Sequence, residues 1–558
     1  MSELCSFPDF EKIKDEINRK EKLLLNYVPV YIVLPIFGIV AEDNKNAELE
    51  ETKKRLKRLK EEACIDGVMV DVWWGIVESE DPKKYKWEGY KELFKMIMSL
   101  ELKIHVIMSF HKSSENGKTI GLPNWIVQYG KANPDIYYTD RNGFPDEGCL
   151  SLGVDNKPLF DDGNGKKRTA IKVYSDFMSS FKDNMIEFLE DGVIVAIEVG
   201  LGPNGELCYP SFPKEERKKG GETQQEWKTS GIGEFQCYDK YLKEDYEDNA
   251  NDKQKQKVDL SDEKEFGNYN SKPGKTKFFK KNGTYTTETG KFFLEWYSNK
   301  LILHGDQVLR EANKIFNGLK IDLVAKVSGV HWFYNHHSHA AELTAGYYNL
   351  DNKKKKKEEE GEGEGEGEGE GEGEGEGEGE GERDNRDGYS PIARMLYKRN
   401  CVLSFSCLEM KAINHISKEP FSSPEKLVKA VLSRAWKKGI EVIGANTWEI
   451  NDADGYNQVL LNARPKGSNP KGKPKFKVHS FMCLRLSENL FKTNYDMFKD
   501  FVRKMHANLD YCGDAEMYPH EVESNSAITT EEILDASTVT KASEPIEWDK
   551  ETDSKVHG

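Results

Sequence analysis

The chain has 558 residues, a length that suits one large domain with long loops, and 37% of them are hydrophobic, enough for a substantial core. The formal net charge is −16, of which Lys353–Glu382 contributes −9 through five Lys and fourteen Glu, so the rest of the chain carries only −7. A mildly acidic chain lacks the concentrated basic face that nucleic acids and anionic membranes require. The charge balance therefore excludes both as main partners and leaves neutral polymers open.

The N-terminus and the cysteines bear on the cellular compartment. Residues 1–26 mix acidic and basic side chains and contain no apolar run of the kind found in signal peptides. The apolar stretch Val28–Val40 is too short, and too interrupted by Pro and Gly, to span a bilayer. The nine cysteines are an odd count without a C-x-x-C pair, which predicts reduced thiols and neither a disulfide framework nor a zinc site. We expect a cytoplasmic protein without a metal site.

Eight short apolar runs recur along the chain, rich in Val, Ile and Leu as is typical of strands buried on both faces of a parallel sheet. The predicted strands are Pro29–Pro35, Gly67–Trp73, Lys103–Phe110, Val193–Gly200, Ile321–Gly329, Val402–Cys407, Ile440–Asn446 and Val478–Leu486. Apolar residues at three- and four-residue spacing predict helices between them. These helices are Glu48–Cys64, Tyr90–Leu102, Tyr174–Leu189, Asn299–Phe316, Pro424–Lys438 and Tyr495–Leu509.

Eight strands with intervening helices fit either a closed (β/α)₈ TIM barrel or an open doubly wound sheet. No G-x-G-x-x-G motif follows the first predicted strand, which removes the main argument for a nucleotide-binding open sheet. The pattern therefore predicts an α/β protein of the (β/α)₈ TIM barrel class with long loops.

One low-complexity segment interrupts this pattern. Lys353–Glu382 consists of Lys, Glu and Gly alone and cannot bury a core, so we predict a disordered insertion there. It separates Tyr347–Leu350 from Arg386–Leu396, which we interpret as one helix-loop segment, while Lys214–Ser230 and Glu244–Lys275 are predicted to be long loops. We expect an N-terminal extension at 1–26, a barrel at 27–512 and a polar tail at 513–558.

Polar and aromatic residues follow several predicted strands, at the barrel end where TIM-barrel active sites lie. They include Asp71, Trp73, Trp74, His111, Lys326, His331, Trp332, Ser406, Glu409 and Asn446. Such a mixture suits a sugar, because aromatic faces stack on pyranose rings while charged groups bind hydroxyls. Glu206 lies in a Gly-Pro-Asn-Gly turn where a structural carboxylate has little to do, whereas Glu198, within a strand, is interpreted as an interior ion-pair partner of Lys326.

Long stretches in chain order, from near Tyr27 to beyond Cys512, carry a specific resemblance. They include DGVMVDVWWGIVE, IVAIEVGLGPNGELCYPSFP, NGTYTTETGKFFLEWYSNKLILHGDQVL, AKVSGVHWFY, HAAELTAGYYNL, SCLEM and YNQVLLNARP. The chain resembles β-amylase, a family of glycoside hydrolases. The resemblance implies a (β/α)₈ barrel that removes β-maltose from the non-reducing ends of α-1,4-glucans such as starch or glycogen, with inversion and without a cofactor. We expect a monomer.

Inverting hydrolysis uses two carboxyl groups, roughly 6.5–9.5 Å apart, with a water molecule behind the anomeric carbon. The resemblance implies that Glu206 in GELCYP is the general acid. It also implies substrate contacts from Asp71, His111, Lys326, His331, Ser406, Asn446, Thr447 and Arg464.

The sequence departs from the family pattern in two places. The family's general base is the glutamate of a Gly-Glu-Asn-Ala-Leu stretch, and here Ala445 stands at that position. The family's glycine-rich lid, which ends in an aspartate, is replaced by Lys112–Thr119. Glu449, Glu409 and Glu115 are the possible substitute bases.

Three functions remain open on these grounds. The first is an active hydrolase, and the second is a catalytically impaired relative that binds glucan ends as a sensor or regulator. The third, a retaining glycosidase, needs a second carboxylate about 5 Å from Glu206. Nothing in the sequence places one there.

Overall fold

Eight parallel strands close into a barrel at the centre of the fold. This computed structural model describes residues 27–37, 40, 45–115, 117–213, 218–219, 222–223, 226–228, 231–253, 255–348, 388–411, 421–464 and 477–506. The barrel strands are β1 (Val30–Val33), β2 (Gly67–Trp73), β3 (Lys103–Ser109), β4 (Ile194–Val199), β5 (Asp322–Val327), β6 (Val402–Phe405), β7 (Val442–Ala445) and β8 (Ser480–Cys483).

The pairing of the first strand with the last closes the barrel. Val30 of β1 is in register with Phe481 of β8, and Tyr31 of β1 is in register with Gly67 of β2, both in parallel. The predicted TIM barrel is thereby confirmed, and all eight predicted strands exist. The predicted Gly67–Trp73 coincides with β2, and the other seven predictions extend by up to three residues beyond one or both observed ends.

Helices surround the barrel. The principal ones are α1 (Lys45–Arg58), α2 (Glu88–Ser99), α3 (Ala170–Glu190), α4 (Glu288–Phe316), α5 (Ser390–Lys398), α6 (Pro424–Lys437), α7 (Ala453–Ala463) and α8 (Tyr495–His506). Shorter helices are Trp74–Val77, Asn124–Ala132, Lys240–Asp252, Glu263–Phe266, Ala340–Ala345 and Glu488–Lys492, and one π-helical turn, Leu59–Ala63, follows α1. Two-stranded hairpins join Ser113–Glu115 to Lys118–Ile120, Tyr137–Thr139 to Pro145–Leu150, Phe160–Asp161 to Lys167–Arg168 and Lys218–Lys219 to Glu222–Thr223.

Two predictions about the helices are wrong. Helix α4 begins at Glu288, eleven residues before its predicted start, and the Oγ of Thr287 caps it by accepting a hydrogen bond from the Gly290 N–H. The predicted loop Glu244–Lys275 begins inside the helix Lys240–Asp252, which is capped by Asp239. In both places a side-chain N-cap satisfies an amide of the first turn and fixes the helix start.

The barrel interior divides into an apolar part and a polar part. Its apolar part is a cluster of Tyr31, Val33, Met69, Ala196, Val324, Val402, Ile443, Ala445 and Met482. Since these side chains fill the space between the strands, the barrel is a packed core and not a pore. Nearer the C-terminal ends of the strands the inward-facing residues are polar, and the candidate site lies there.

The predicted extension, insertion and tail (1–26, 353–382 and 513–558) lie outside the described residues. Within the described ranges, none of the helices is both long and apolar enough to cross a lipid bilayer.

Candidate active site

The C-terminal ends of the barrel strands form a mouth that collects most of the predicted site residues. Those placed on a barrel strand near its C-terminal end, or on the segment that follows it, are Asp71, His111, Glu206, Lys326, His331, Ser406, Asn446 and Thr447. Long loops separate them in the sequence, and the parallel strand order brings them to one end.

Glu206 is positioned by a tight turn and by a backbone pairing. The turn Pro203–Gly205 follows β4, with Asn204 at a φ of 54°, and a parallel bridge joins Glu206 to Lys326 of β5. The Leu207 N–H donates to the Lys326 carbonyl at 2.8 Å. This pairing directs the Glu206 side chain to the mouth, where its carboxylate lies 3.2 Å from the Lys326 ammonium.

Lys326 is the central cation of the mouth. Burial opposes its charge, but the carboxylates of Glu206, Glu198 and Asp71 outweigh this and raise the pKa of Lys326 above its usual value. Lys326 therefore stays protonated at neutral pH and can donate to a carboxylate or to a sugar hydroxyl.

Asp71 lies on β2 and faces the interior. It accepts a hydrogen bond from the Ser109 Oγ at 2.9 Å. Burial raises the pKa of Asp71, while Arg485 and Lys326 act in the opposite direction. A carboxylate held between cations at the bottom of an open mouth is suited to accept hydrogen bonds from sugar hydroxyls.

Glu198, on β4, is almost completely buried beside this group. Burial raises the pKa of Glu198 to about 7, although Lys326 and a hydrogen bond from Ser404 lower it. The interpretation of Glu198 as an interior partner of Lys326 agrees with this electrostatic coupling, but the direct ion-pair contact of Lys326 is with Glu206.

Two histidines lie at the mouth. Burial and the charge of Lys326 lower the pKa of His111 to about 3, so its imidazole is neutral. Its ring packs edge-on against Trp73, with centroids 5.3 Å apart. The Nδ1 of His331 lies 2.9 Å from the Ser422 Oγ.

Ala445 ends β7, with its side chain inside the barrel and 7% exposed. The side-chain amide of the neighbouring Asn446 is hydrogen-bonded to the backbone. Its Nδ2 donates to the carbonyls of Trp448 and Leu484, and its Oδ1 accepts from the Leu484 N–H. Asn446 therefore joins the ends of β7 and β8, and its side chain fixes the positions of the two loops that follow these strands.

The segment after β6 is tied to the segment after β7. The Cys407 N–H donates to the Thr447 Oγ1 at 3.1 Å, and Ser406 is buried beside Cys407. One carboxylate oxygen of Glu409 accepts from the N–H groups of Thr447 and Trp448, at 2.8 and 2.7 Å. Burial raises the pKa of Glu409, because the other oxygen is buried without a hydrogen-bond partner among the described residues.

The other two possible substitute bases lie elsewhere. Glu449 is exposed and accepts a hydrogen bond from the Ser487 Oγ at 2.8 Å. Glu115 is exposed on the hairpin formed by Ser113–Glu115 and Lys118–Ile120, which occupies the predicted lid segment.

Arg464 is not part of the mouth, which corrects its predicted place. It follows α7, which runs back from the mouth, and it interacts electrostatically with Lys477, which precedes β8 and donates to the Tyr27 carbonyl. These residues lie at the N-terminal ends of the strands. The arginine at the mouth is Arg485, which follows β8, interacts with Asp71 and donates to the Leu34 carbonyl at 3.1 Å.

The predicted stacking surfaces also need correction. Trp73 and Trp74 are 3% and 0% exposed and belong to the core, and Trp332 is only partly exposed. Trp448 is 58% exposed and follows β7, so it presents an aromatic face to solvent at the mouth. Its position just after a predicted strand was the feature of the sequence that could have indicated Trp448 as a residue of the mouth.

Clusters of three or more His, Cys, Asp or Glu that could hold a metal ion do not occur in the described part of the chain. The seven cysteines of the described ranges are free thiols, and six of them are buried.

Comparison with known proteins agrees with this barrel. The model of glycosyl hydrolase family 14 matches residues 34–358 and 372–509. β-Amylase 5 of Arabidopsis thaliana is 53% identical over 549 residues, which cover 97% of this chain and 99% of that protein. The β-amylase of Glycine max is 45% identical over 544 residues, which cover 96% and 99%.

A solved structure shows the same fold. The catalytic domain of β-amylase from Paenibacillus polymyxa superimposes with a TM-score of 0.60 at 23% identity, covering 89% of this chain and 99% of that one. Because the family model matches most of the chain and these plant relatives are similar along nearly its whole length, the chain belongs to glycosyl hydrolase family 14.

Proposed function

We propose that the chain hydrolyses α-1,4-glucosidic bonds of starch- or glycogen-like polysaccharides and releases β-maltose from non-reducing chain ends with inversion. The observation that carries this proposal is the position of Glu206, in a glycosyl hydrolase of family 14 whose relatives are named β-amylases. Its carboxyl group stands at the open end of the barrel beside cations and carboxylates that suit sugar hydroxyls.

In this proposal Glu206 protonates the glycosidic oxygen as the bond to the anomeric carbon breaks. Asp71, Lys326 and Arg485 hold the sugar through its hydroxyls, and Trp448 stacks on a pyranose ring. Inversion requires a water molecule that attacks from the opposite face of the sugar. The methyl group of Ala445 cannot take a proton from that water, so the proton passes to solvent water, and the attack is slower than it would be with a carboxylate as base.

Product analysis with the purified chain tests the proposal. Maltoheptaose should yield maltose whose first-formed anomer is β, as read by proton NMR in the first minutes of reaction. Glu206→Gln keeps the size of the side chain but removes the acid, and should lower turnover by ~10²–10⁴-fold. A variant as active as the wild type, or α-maltose as the first product, would overturn the assignment.

A second function, binding of glucan ends with little turnover, is suggested by Ala445 alone. Thermal unfolding separates the two functions, because a ligand that binds only the folded state stabilises it by about 2.7 kcal/mol at 100 times its Kd. A raised Tm with maltodextrin and no release of maltose would establish the binding function. An unchanged Tm together with no turnover would exclude both.

We also propose that the chain acts as a cytoplasmic monomer. The buried free thiols and the absence of a bilayer-spanning helix from the described residues are compatible with this. Light scattering after size exclusion and imaging of a fluorescent fusion test the two parts separately.

A further inference from the structure

The turn that carries Glu206 is held by a hydrogen bond from helix α4. We call residues Leu201–Leu207 the acid turn. Its internal hydrogen bonds run from the Leu201 N–H to the Gly205 carbonyl, from the Gly205 N–H to the Gly202 carbonyl and from the Glu206 N–H to the Pro203 carbonyl. The Leu201 carbonyl points away from these bonds and accepts a hydrogen bond from the ring of His304, on α4.

His304 is buried, with 6% of its surface exposed, and each ring nitrogen meets an acceptor. Nδ1 lies 2.8 Å from the Asp155 carboxylate, and Nε2 lies 3.1 Å from the Leu201 carbonyl oxygen. Neither a carboxylate nor a carbonyl oxygen can donate a hydrogen bond, so both contacts are satisfied only when both nitrogens carry protons. The geometry therefore requires an imidazolium.

The next residue brings the helix close to the acid turn. A Cβ on Gly305 would lie 3.2 Å from the side-chain methyl groups of Leu207 and 3.0 Å from the Met395 Cε. A side chain at this position would require Leu207 and Met395 to shift by a few tenths of an ångström. Helix α4 also packs on α3, so His304 extends from a well-supported element towards the turn.

The charges around His304 favour the protonated ring. Burial by itself lowers the pKa of His304, but the charge and hydrogen bond of Asp155, together with the Leu201 carbonyl, raise the pKa above its usual value. Tyr138 on the neighbouring hairpin and Tyr174 on α3 interact with Asp155, and burial raises the pKa of both tyrosines so far that they stay neutral.

Two other titratable groups lie near this contact. Cys149, on the same hairpin as Tyr138, is a buried thiol that interacts with both tyrosines. Asp306, the next acid on α4, is bound to Arg399, which follows α5, at 2.7 Å. Asp155 is thus the charge that acts on the His304 ring.

We propose that His304 is a positioning residue: its imidazolium ties the acid turn to Asp155 and thereby holds Glu206 in place. The role of Glu206 as the acid rests on the proposed function, whereas the anchoring of the turn does not. When the ring loses its second proton, one buried acceptor, either the carboxylate or the carbonyl, is left without a donor, and the turn loosens.

Amide hydrogen exchange of the acid turn measures the anchor without turnover. In the full chain at pH 6.5, His304→Gln removes one of the two donors and should lower the protection of the Glu206 and Leu207 amides about 10- to 100-fold, the size expected for the loss of a hydrogen bond to a charged group. His479→Gln, at the opposite end of the barrel, is the matched control and should not lower the protection of these amides more than that of the rest of the barrel. Equal protection in His304→Gln and the wild type would overturn the proposal.

A second variant tests the charge. Asp155→Asn keeps an acceptor but removes the negative charge, so the ring loses its proton at a lower pH. After correction for intrinsic exchange, the pH at which wild-type protection falls should shift to lower values in this variant, whereas His304→Gln should show no such transition. A merely structural contact would leave that pH unchanged, and this outcome would refute the imidazolium.

Kinetics test the consequence for Glu206. Fluoride leaves with little need of a proton, so α-maltosyl fluoride depends less on the acid than maltoheptaose does. His304→Gln should lower kcat on maltoheptaose at least ~10-fold more than kcat on the fluoride, with KM nearly unchanged. Equal losses on both substrates would refute the positioning of Glu206. Absence of turnover on both in the wild type would contradict the proposed function, while the exchange experiments still decide on the anchor.

Discussion

Ala445 lies at the end of β7, three strands around the barrel from β4, and its methyl group is surrounded by the apolar interior. A glutamate at this position would place a carboxylate on the side of the mouth away from Glu206. We therefore expect Ala445→Glu to raise the rate of maltose release by ~10²–10⁴-fold, the usual contribution of a general base, with little change in glucan affinity. Initial rates on maltoheptaose measure the effect.

Ala445→Gln is the matched control, because it has the size of glutamate without a proton-accepting carboxylate. It should remain at the wild-type rate, and thermal unfolding should show that both variants fold. A wild type that already releases maltose as fast as Ala445→Glu contradicts the expectation. Glu409→Gln would then test one of the possible substitute bases, a carboxylate whose oxygen binds the loop after β7.

Trp448 offers an exposed indole on a fixed backbone. Its N–H donates to Glu409 and its carbonyl accepts from Asn446, at 2.7 and 2.8 Å. An aromatic contact is worth ~0.5–1.5 kcal/mol beyond its area, so Trp448→Ala should weaken maltodextrin binding roughly 2- to 10-fold. Titration calorimetry measures the affinity, and Trp448→Phe should retain most of it. Unchanged affinity in the alanine variant would show that the indole does not contact the sugar.

Arg464 and Arg485 show that a matching motif does not always predict the position of a single residue. Glu206, Asp71 and Lys326 were predicted at the mouth because each follows or ends a recognisable strand. Arg464 stands in a motif that resembles the family, but α7 carries it to the other end of the barrel. Arg485 follows β8 directly and interacts with Asp71 at the mouth. The only sign of this in the sequence is its position near the C-terminal end of a predicted strand.

At the level of elements, strands were easier to predict than helix boundaries. A strand buried on both faces is a continuous apolar run, whereas α4 buries residues around much of its circumference, among them Phe292, Leu294 and Ile302. That distribution hides the single apolar stripe by which helices are usually located. The helix Lys240–Asp252 is mostly polar and buries only a few residues, so its sequence resembles a loop.

An ion-pair cluster joins three strands at the N-terminal end of the barrel. The ring nitrogens of His479, just before β8, lie 3.1 Å from Asp322 of β5 and 3.1 Å from Glu441, just before β7. Hydrogen bonds to Asp322 and Glu441 raise the pKa of His479 to about 9. The folded state therefore binds this proton more tightly than the unfolded state does.

Because the pKa of His479 is raised on folding, the stabilisation is fully present below about pH 6.5 and is lost as the pH rises through about 9. His479→Gln should lower the Tm most near pH 6, and the difference from the wild type should vanish above pH 9. The side chain is 37% exposed, so solvent screening limits the effect to on the order of 1 kcal/mol or less. A Tm difference that stays constant from pH 6 to pH 10 would show that the proton contributes nothing.

At the scale of the whole molecule, the number of predicted strands fitted a closed barrel and an open sheet equally well. Closure depends on the pairing of β1 with β8, two segments about 450 residues apart, which no local pattern reports. The lack of a nucleotide-binding motif favoured the closed form only indirectly. The boundaries at 1–26 and 513–558 stay predictions.

The segment 349–387 joins two positions that are close in space. A Cβ on Gly388 would lie 2.7 Å from the Tyr347 carbonyl carbon, and the rings of Tyr347 and Tyr389 are 5.0 Å apart. A connection between such neighbours needs only a few residues. The sequence supplies 39, of which 30 belong to Lys353–Glu382.

Deletion of Lys353–Glu382 should therefore leave the barrel intact. The nine residues that remain can span the gap between the two tyrosines, and closing the shorter loop costs roughly 1 kcal/mol less conformational entropy. We expect the Tm to stay the same or to rise by a few degrees, and glucan affinity to be unchanged, because the removed residues carry no apolar side chain that could pack on the fold. Replacing the segment by an equally long Gly-Ser linker controls for loop length and should restore the wild-type Tm. A fall of many degrees in the deletion variant and in the linker variant alike would show that the Lys, Glu and Gly residues bind the barrel through their charges.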